Sequence, residues 1–324
     1  MDTRSLYRDG PEVSEVGFGA WAIGGSWGAT DDEESLAALR TAIRSGVSFI
    51  DTADVYGDGR SEQLVGRIAA DFDVVVATKM GRRAELDPDN WTRRQFLSWL
   101  NRSRRNLDVE TIDLVQLHCL GDRIYDMPSV WEGLRTLRDD GVIRAFGVSV
   151  ETVDEALAAM EVEGLATIQI IANLFRMKPV DTVFPAAREA GVGVIVRVPL
   201  ASGLLTGKFS ADSEFPEDDH RNFNREGAAF DVGETFAGVP FEVGLEAVER
   251  VRPLVPDHVT MAQFALRWIL DHDAVSVVIP GARTQAQARG NAAASAVEPL
   301  KKKVHTRLRE VYDDLVRPHV HDRW

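Results

Sequence analysis

Residues 47–56 read VSFIDTADVY, a short apolar run rich in β-branched residues that ends on Asp51 and is followed five residues later by Tyr56. Two further runs close in the same way, VVVATK (74–79) on Lys79 and DLVQLH (113–118) on His118. Runs of this length and composition predict β-strands. Three successive strands that each end on an ionisable side chain are the pattern expected where strand ends build a site.

Working outward, the segments SGVSFID (45–51), DGVIRAFGV (140–148) and AGVGVIV (190–196) each place a glycine, Gly46, Gly141 or Gly191, directly before an apolar strand. A glycine there suits a helix stop in the left-handed conformation. The preceding helices carry start signals: Thr30 with Glu33 and Thr92 with Gln95 have capping-box spacing. Leu36, Leu39 and Ile43 then share one face, as do Phe96, Leu97 and Leu100, Trp131, Leu134 and Leu137, and Phe264, Trp268 and Ile269.

Strand runs fall near 15–19, 47–51, 74–79, 112–117, 142–149, 167–171, 192–197 and 275–279. Eight strands alternating with helices predict an α/β fold, a closed (β/α)8 TIM barrel with a parallel sheet. The opening SLYRDGPEVSEV (5–16) holds an Asp-Gly pair between alternating residues and predicts a short β-hairpin ahead of the barrel. No Pro/Ser-rich linker divides the 324 residues, so a single domain over 1–324 is expected.

The charge of −14, from 51 acidic and 37 basic residues, opposes nucleic acid and anionic lipid as partners. With one cysteine, Cys119, no intrachain disulfide is possible, and no apolar stretch approaches the roughly 20 residues of a bilayer span. MDTRSLYRDG lacks the apolar core of a signal peptide, so a reducing, cytoplasmic setting is expected. No HExxH motif occurs, the one HxH, His319-Val320-His321, lies in the tail away from any strand run, and of seven histidines only His118 falls at a strand end, so no metal site is expected.

Taken together and in order, GFGAWAIGG (17–25), DTADVYGDGRSE (51–62), ATK (77–79), QLH (116–118), GVS (147–149), PLASGLLTGK (199–208) and IPGARTQAQARGN (279–291) are specific. With them the chain resembles the aldo-keto reductase superfamily over nearly its whole length. The resemblance implies NADPH-dependent reduction of a small aldehyde or ketone by hydride transfer. Tyr56 would be the general acid, Lys79 would lower its pKa, Asp51 would hold Lys79 charged, and His118 would bind the carbonyl oxygen.

It also implies an NADP(H) site. Ser149 and Gln169 match the residues that hold the nicotinamide carboxamide, although Val150 stands where an asparagine often follows that serine. Trp21 and Ala22 match the cleft lining, and Leu200, Ser202, Gly203 and Gly281 the cofactor path. Lys208 is placed for the pyrophosphate, Arg283 for the 2′-phosphate, and Gln287 and Asn291 for the adenine end, at a helix start whose N–H groups attract anions. Many relatives carry an aromatic residue beneath the nicotinamide where this chain has Arg197. Its guanidinium is expected to disfavour the cationic, oxidised ring.

Substrate loops are expected at CLGDRIYDMPSV (119–130), the long stretch 209–238 and the tail VRPHVHDRW (316–324). Phe223, Phe230, Phe236 and Trp324 would either wall a pocket or pin a loop. The alternative to an enzyme is a regulatory or redox-sensing subunit, similar to channel-associated β subunits, that binds the nicotinamide and acts through a protein partner.

Overall fold

A strand buried on both faces has to satisfy two environments, because successive side chains point to opposite sides. In the computed structural model, which describes residues 1–25, 31–87 and 89–324, eight parallel strands meet this demand. They are β1 Phe18–Gly19, β2 Phe49–Asp51, β3 Val75–Met80, β4 Ile112–His118, β5 Ile143–Ser149, β6 Thr167–Ile171, β7 Gly193–Arg197 and β8 Val275–Val278. They pair in sequence order. Parallel bridges Val16 to Val278 and Gly19 to Gly281 close the sheet on itself, with Gly17 N–H donating to Val278 O at 2.8 Å and Gly19 N–H to Pro280 O at 3.1 Å. This is the expected (β/α)8 barrel. The largest boundary shift is at β1, which begins at Phe18 rather than at residue 15.

The helices of the repeat are α1 Asp32–Arg44, α2 Arg60–Ala69, α3 Arg93–Leu107, α4 Pro128–Asp139, α5 Val153–Met160, α6 Val183–Ala190, α7 Met261–Leu270 and α8 Gln285–Ala292. Helices Phe241–Val251 and Lys302–Val311 are additions to it. Gly46, Gly141 and Gly191 have φ of 96°, 74° and 72°, the left-handed stops read from the sequence. Thr92 caps α3 by accepting the Gln95 N–H. Thr30 lies outside the described residues; α1 is capped by Asp31, whose carboxylate accepts the Glu34 N–H at 3.0 Å. None of the described helices is long and apolar enough to cross a membrane.

Outward side chains such as Ile50, Val115, Phe146, Ile168 and Val194 are buried beneath the helical faces of Leu36 and Leu39, Phe96 and Leu100, Trp131 and Leu134, and Phe264 and Trp268. Burying each of these large apolar side chains stabilises by about 1.5–3 kcal/mol. Inside the barrel, Phe49, Ala77, Leu114, Ala145, Ile195 and Val277 form one apolar layer with Leu6 and Val13. The latter two come from the hairpin, whose strands Thr3–Ser5 and Glu12–Ser14 pair antiparallel and seal the lower end.

Two residues further along the same inward faces the chemistry changes. Phe49 gives way to Asp51, Ala77 to Lys79, Leu114 to Gln116 and then His118, and Ile195 to Arg197. The period of two places an apolar floor and a polar rim on the same strands.

Gly147 lets β5 and β6 approach. A Cβ at this position would lie 2.2 Å from Thr167 Oγ1 and 2.6 Å from Thr167 O. Gly147→Val is therefore expected to lower the unfolding free energy by about 1–3 kcal/mol in urea titration; a midpoint equal to wild type would contradict the packing described.

Candidate active site

Asp51 ends β2, and Lys79 of β3 lies in register beside Gln116 of β4. Both charged side chains are inaccessible, at 2% and 0% exposure. Lys79 Nζ donates to Asp51 Oδ2 at 2.5 Å, to Thr52 O at 2.9 Å and to Tyr56 Oη at 3.3 Å, which fills its three donor positions. The other Asp51 oxygen accepts from Gln116 Nε2 at 3.0 Å and Gln169 Nε2 at 2.7 Å. Burial alone would push the Lys79 ammonium toward neutrality, but the Asp51 carboxylate and the Tyr56 hydroxyl together outweigh it and hold the pKa above the ordinary 10.5.

Tyr56 begins a tight turn in which Gly57, Asp58 and Gly59 all have positive φ, of 60°, 54° and 96°. Gly57 is required there, because a Cβ would lie 2.1 Å from Gly24 O. Arg83 clamps the turn through Asp54 Oδ2 at 3.0 Å and Asp58 Oδ1 at 2.7 Å, and Arg102 adds a bond to Asp58 Oδ1 at 2.8 Å.

Burial raises the Tyr56 pKa above 10; Lys79 opposes the rise, and Asp51 and Glu234 add to it. The expectation that Lys79 takes the phenol below its ordinary value is thus corrected: its ammonium limits a rise caused by desolvation. The Tyr56 and His118 rings meet edge to face, with centroids 5.8 Å apart. Burial, with Arg82, Lys79 and Arg197 nearby, puts the His118 pKa well below 6.5, so the imidazole is neutral. Its Nδ1 is buried with no hydrogen-bond partner.

A cleft of about 510 Å³ runs from Asp51, Tyr56 and His118 past Ser149, Gln169 and Arg197 to Arg283, Gln287 and Asn291. Trp21, Leu200, Ser202, Gly203, Lys208 and Gly281 line it as well, while Lys79 lies buried behind Asp51 and Tyr56 and does not reach the cleft surface. The elongated shape and the cationic far end suit a dinucleotide phosphate.

Several details differ from the sequence reading. Gln169 spends its amide N–H groups on Asp51 and on Gln116 Oε1, at 3.2 Å. Gln287 Oε1 accepts the N–H groups of Arg283 at 2.7 Å and Thr284 at 3.3 Å, so part of the α8 N–H array is already occupied. Phe236 is buried and packs against Phe215 and Phe241, while Trp324 lies 3.7 Å from the Arg176 guanidinium and donates to Asp231 Oδ1 at 3.0 Å. These two rings pin the long loop. Phe230 instead meets Trp21 at 5.8 Å.

Arg197 is the largest departure. Its Nη2 pairs with Glu151 Oε2 at 2.7 Å and donates to Val150 O at 3.1 Å, and its Nη1 lies 3.4 Å from Glu234 Oε1. Arg82 bonds the same Glu234 oxygen at 2.9 Å. The guanidinium at the cleft is therefore matched by carboxylates, and an unopposed positive charge against the oxidised ring does not follow. Glu151, Glu234, Arg82 and Gln116 were not singled out from the sequence. Gln116 was signalled by its place two residues before His118, whereas Glu234 lies far along the loop 209–238, where no spacing points to it.

The buried pair yields a stability test. Lys79→Met leaves the Asp51 carboxylate without its cation and should cost about 3–5 kcal/mol by chemical denaturation. Lys79→Met with Asp51→Asn should recover much of that loss; additive losses would contradict the coupling.

The Aldo/keto reductase family model matches residues 15–313. The aldo-keto reductase YhdN of Bacillus subtilis is 32% identical over 303 residues, 89% of this chain and 86% of that protein. A probable voltage-gated potassium channel subunit beta of Oryza sativa is 29% identical over 319 residues, 93% of each chain. Among solved structures, the glycerol dehydrogenase AKR11B4 of Gluconobacter oxydans is 33% identical, with a TM-score of 0.78 and coverage of 98% of this chain and 96% of its own. A Klebsiella pneumoniae aldo-keto reductase in complex with NADPH shares the fold at 23% identity and a TM-score of 0.71, over 96% of each chain. With its catalytic-type quartet on one barrel rim and a match over nearly its full length, the chain belongs to the aldo/keto reductase family.

Proposed function

We propose that this protein is an NADPH-dependent reductase of small aldehydes or ketones, with Tyr56 as the general acid. The observation that carries this reading is the Lys79 ammonium, bound to Asp51 and 3.3 Å from the Tyr56 hydroxyl at the end of a cleft that continues to Arg283. When bound, NADPH would supply the hydride for the carbonyl carbon. Tyr56 gives its proton to the carbonyl oxygen, and Lys79 stabilises the tyrosinate that remains. His118, a neutral imidazole, donates one N–H toward the oxygen and orients it.

Ser149 and Gln169 hold the nicotinamide end, Trp21 faces the substrate, and Leu200, Ser202, Gly203 and Gly281 border the cofactor along the cleft. Lys208 and Arg283 meet the phosphates, with Gln287 and Asn291 beside them. The likeness to a glycerol dehydrogenase makes small hydroxy-carbonyl compounds the first substrates to assay. A redox-sensing subunit acting through a partner is the second reading, because the rice channel β subunit is related over 93% of the chain. Sustained turnover by the purified protein alone separates the two.

Tyr56→Phe should lower NADPH oxidation, followed at 340 nm, by about 10²–10⁴-fold while leaving NADPH affinity unchanged. A wild-type rate would remove Tyr56 from the chemistry. Reduction needs the protonated phenol, whose pKa lies above 10, so Tyr56 ionisation should lower kcat/KM only in the alkaline range. Arg283→Ala should weaken NADPH by about tenfold to a hundredfold, with little effect on NADH; equal losses for both would place Arg283 elsewhere.

A further inference from the structure

At the edge of the cleft, four charged groups from three strand ends and the long loop meet, with Arg197 and Glu234 buried and Glu151 and Arg82 partly exposed, at 13% and 26% of the side chain. Arg82 follows β3, Glu151 follows β5, Arg197 ends β7, and Glu234 comes from the loop 209–238. The contacts described above, with Arg82 Nη2 3.5 Å from Glu151 Oε1, join them into one closed network, and Cys119 Sγ lies 3.7 Å from Arg197 Nη2. Glu151 Oε1 is buried and has no hydrogen bond beyond that ion pair with Arg82, and the Glu234 carboxylate is close by. Two ionised carboxylates at such a distance repel, and a proton between them supplies the missing bond.

This inference rests on the cofactor reading given above. A ring that passes hydride to a carbonyl held by Tyr56 and His118 has to lie within about 3.5 Å of that carbon. The cleft wall there is formed by Ser149, Gln169 and Arg197. The reduced ring is neutral and the oxidised ring is cationic, so the charge behind Arg197 discriminates between them. With both carboxylates ionised the network sums to zero; with one proton in the pair it carries one positive charge.

We propose that Glu151 and Glu234, acting through Arg197, set which oxidation state of the nicotinamide cofactor the cleft prefers, and that a proton taken up by their carboxyl pair tilts the preference toward the reduced form. Burial and the neighbouring Glu234 push Glu151 up to about 7 against the pull of Arg197, while Arg197 and Arg82 overcome burial to hold Glu234 low. The other groups facing the pair keep one charge state near neutrality. Burial pushes the Cys119 thiol up to about 12, His118 is neutral, and burial brings Arg176 down only to about 9. Below the titration the network is positive and repels the oxidised ring; above it the repulsion is gone. The ratio Kd(NADP⁺)/Kd(NADPH) therefore falls as pH rises through the range near 7. The 2′-phosphate titrates in both forms and cancels in the ratio.

The test is equilibrium titration of NADPH and NADP⁺ into wild type, Glu151→Gln, Glu234→Gln and the double variant Glu151→Gln/Arg197→Met, at about pH 6 and about pH 8, with circular dichroism confirming the fold. At the higher pH, each single variant should raise the ratio about tenfold over wild type, and the double variant should return it. At the lower pH, Glu151→Gln and wild type should agree. A ratio unchanged in both single variants, or a wild-type ratio that is the same at both pH values, overturns the proposal; the wild-type comparison decides it even if a variant does not fold. Wild type that binds neither nucleotide overturns the cofactor reading itself, whereas tight, pH-independent binding of both sinks this inference alone.

Discussion

A lysine ammonium and a carboxylate enclosed out of water, Lys79 with Asp51, set the conditions for everything around them. Removing two ions from water costs several kcal/mol per ion, and their attraction offsets this only where the remaining hydrogen-bond positions are also filled. Here β2 provides the carboxylate and β3 the ammonium, while Gln116 of β4 and Gln169 of β6 satisfy the second oxygen. Four strands have to be in register for the pair to exist. The closed barrel meets that condition, and the apolar layer from Phe49 to Val277 beneath it keeps water out from below.

The same enclosure decides how the phenol behaves. Desolvation makes Tyr56 a weaker acid at rest, so it keeps its proton at neutral pH, and the neighbouring ammonium lowers the cost of losing it when charge develops on a substrate. The tight turn through Gly57 and Asp58, held by Arg83 and Arg102, fixes the phenol at that distance. Strained backbone gathers nearby: Cys119, Val198, Ala201, Ser202 and Phe236 all have positive φ, between 46° and 53°. For a β-branched residue such as Val198 that conformation is costly and persists only where the surroundings enforce it.

Much of this was legible in the sequence because it follows from local period. Strand alternation, the glycine stops and the polar residue closing each of VSFID, VVVATK and DLVQLH are short-range signals, and they located the barrel and the quartet Asp51, Tyr56, Lys79 and His118. What stayed hidden depends on partners far apart in the chain. Arg197 read as a positive charge set against the oxidised ring because Glu151 and Glu234, which match it, lie 46 and 37 positions away, with nothing in their spacing to connect them. The balance at Tyr56 was likewise invisible, since it compares burial depth with the reach of one ammonium. Gln287 lines the cleft and its Oε1 also caps its own helix, a second use that its spacing in the sequence did not separate from ligand contact.

The central claim is that the Lys79–Asp51 pair acts on the Tyr56 proton. Carbon-13 labelling at tyrosine Cζ lets the Tyr56 phenol be titrated by NMR in wild type and in Lys79→Met/Asp51→Asn. Because the ammonium opposes the rise caused by burial more strongly than the carboxylate adds to it, the Tyr56 pKa should be higher in the double variant than in wild type. An equal or lower value there would contradict the account.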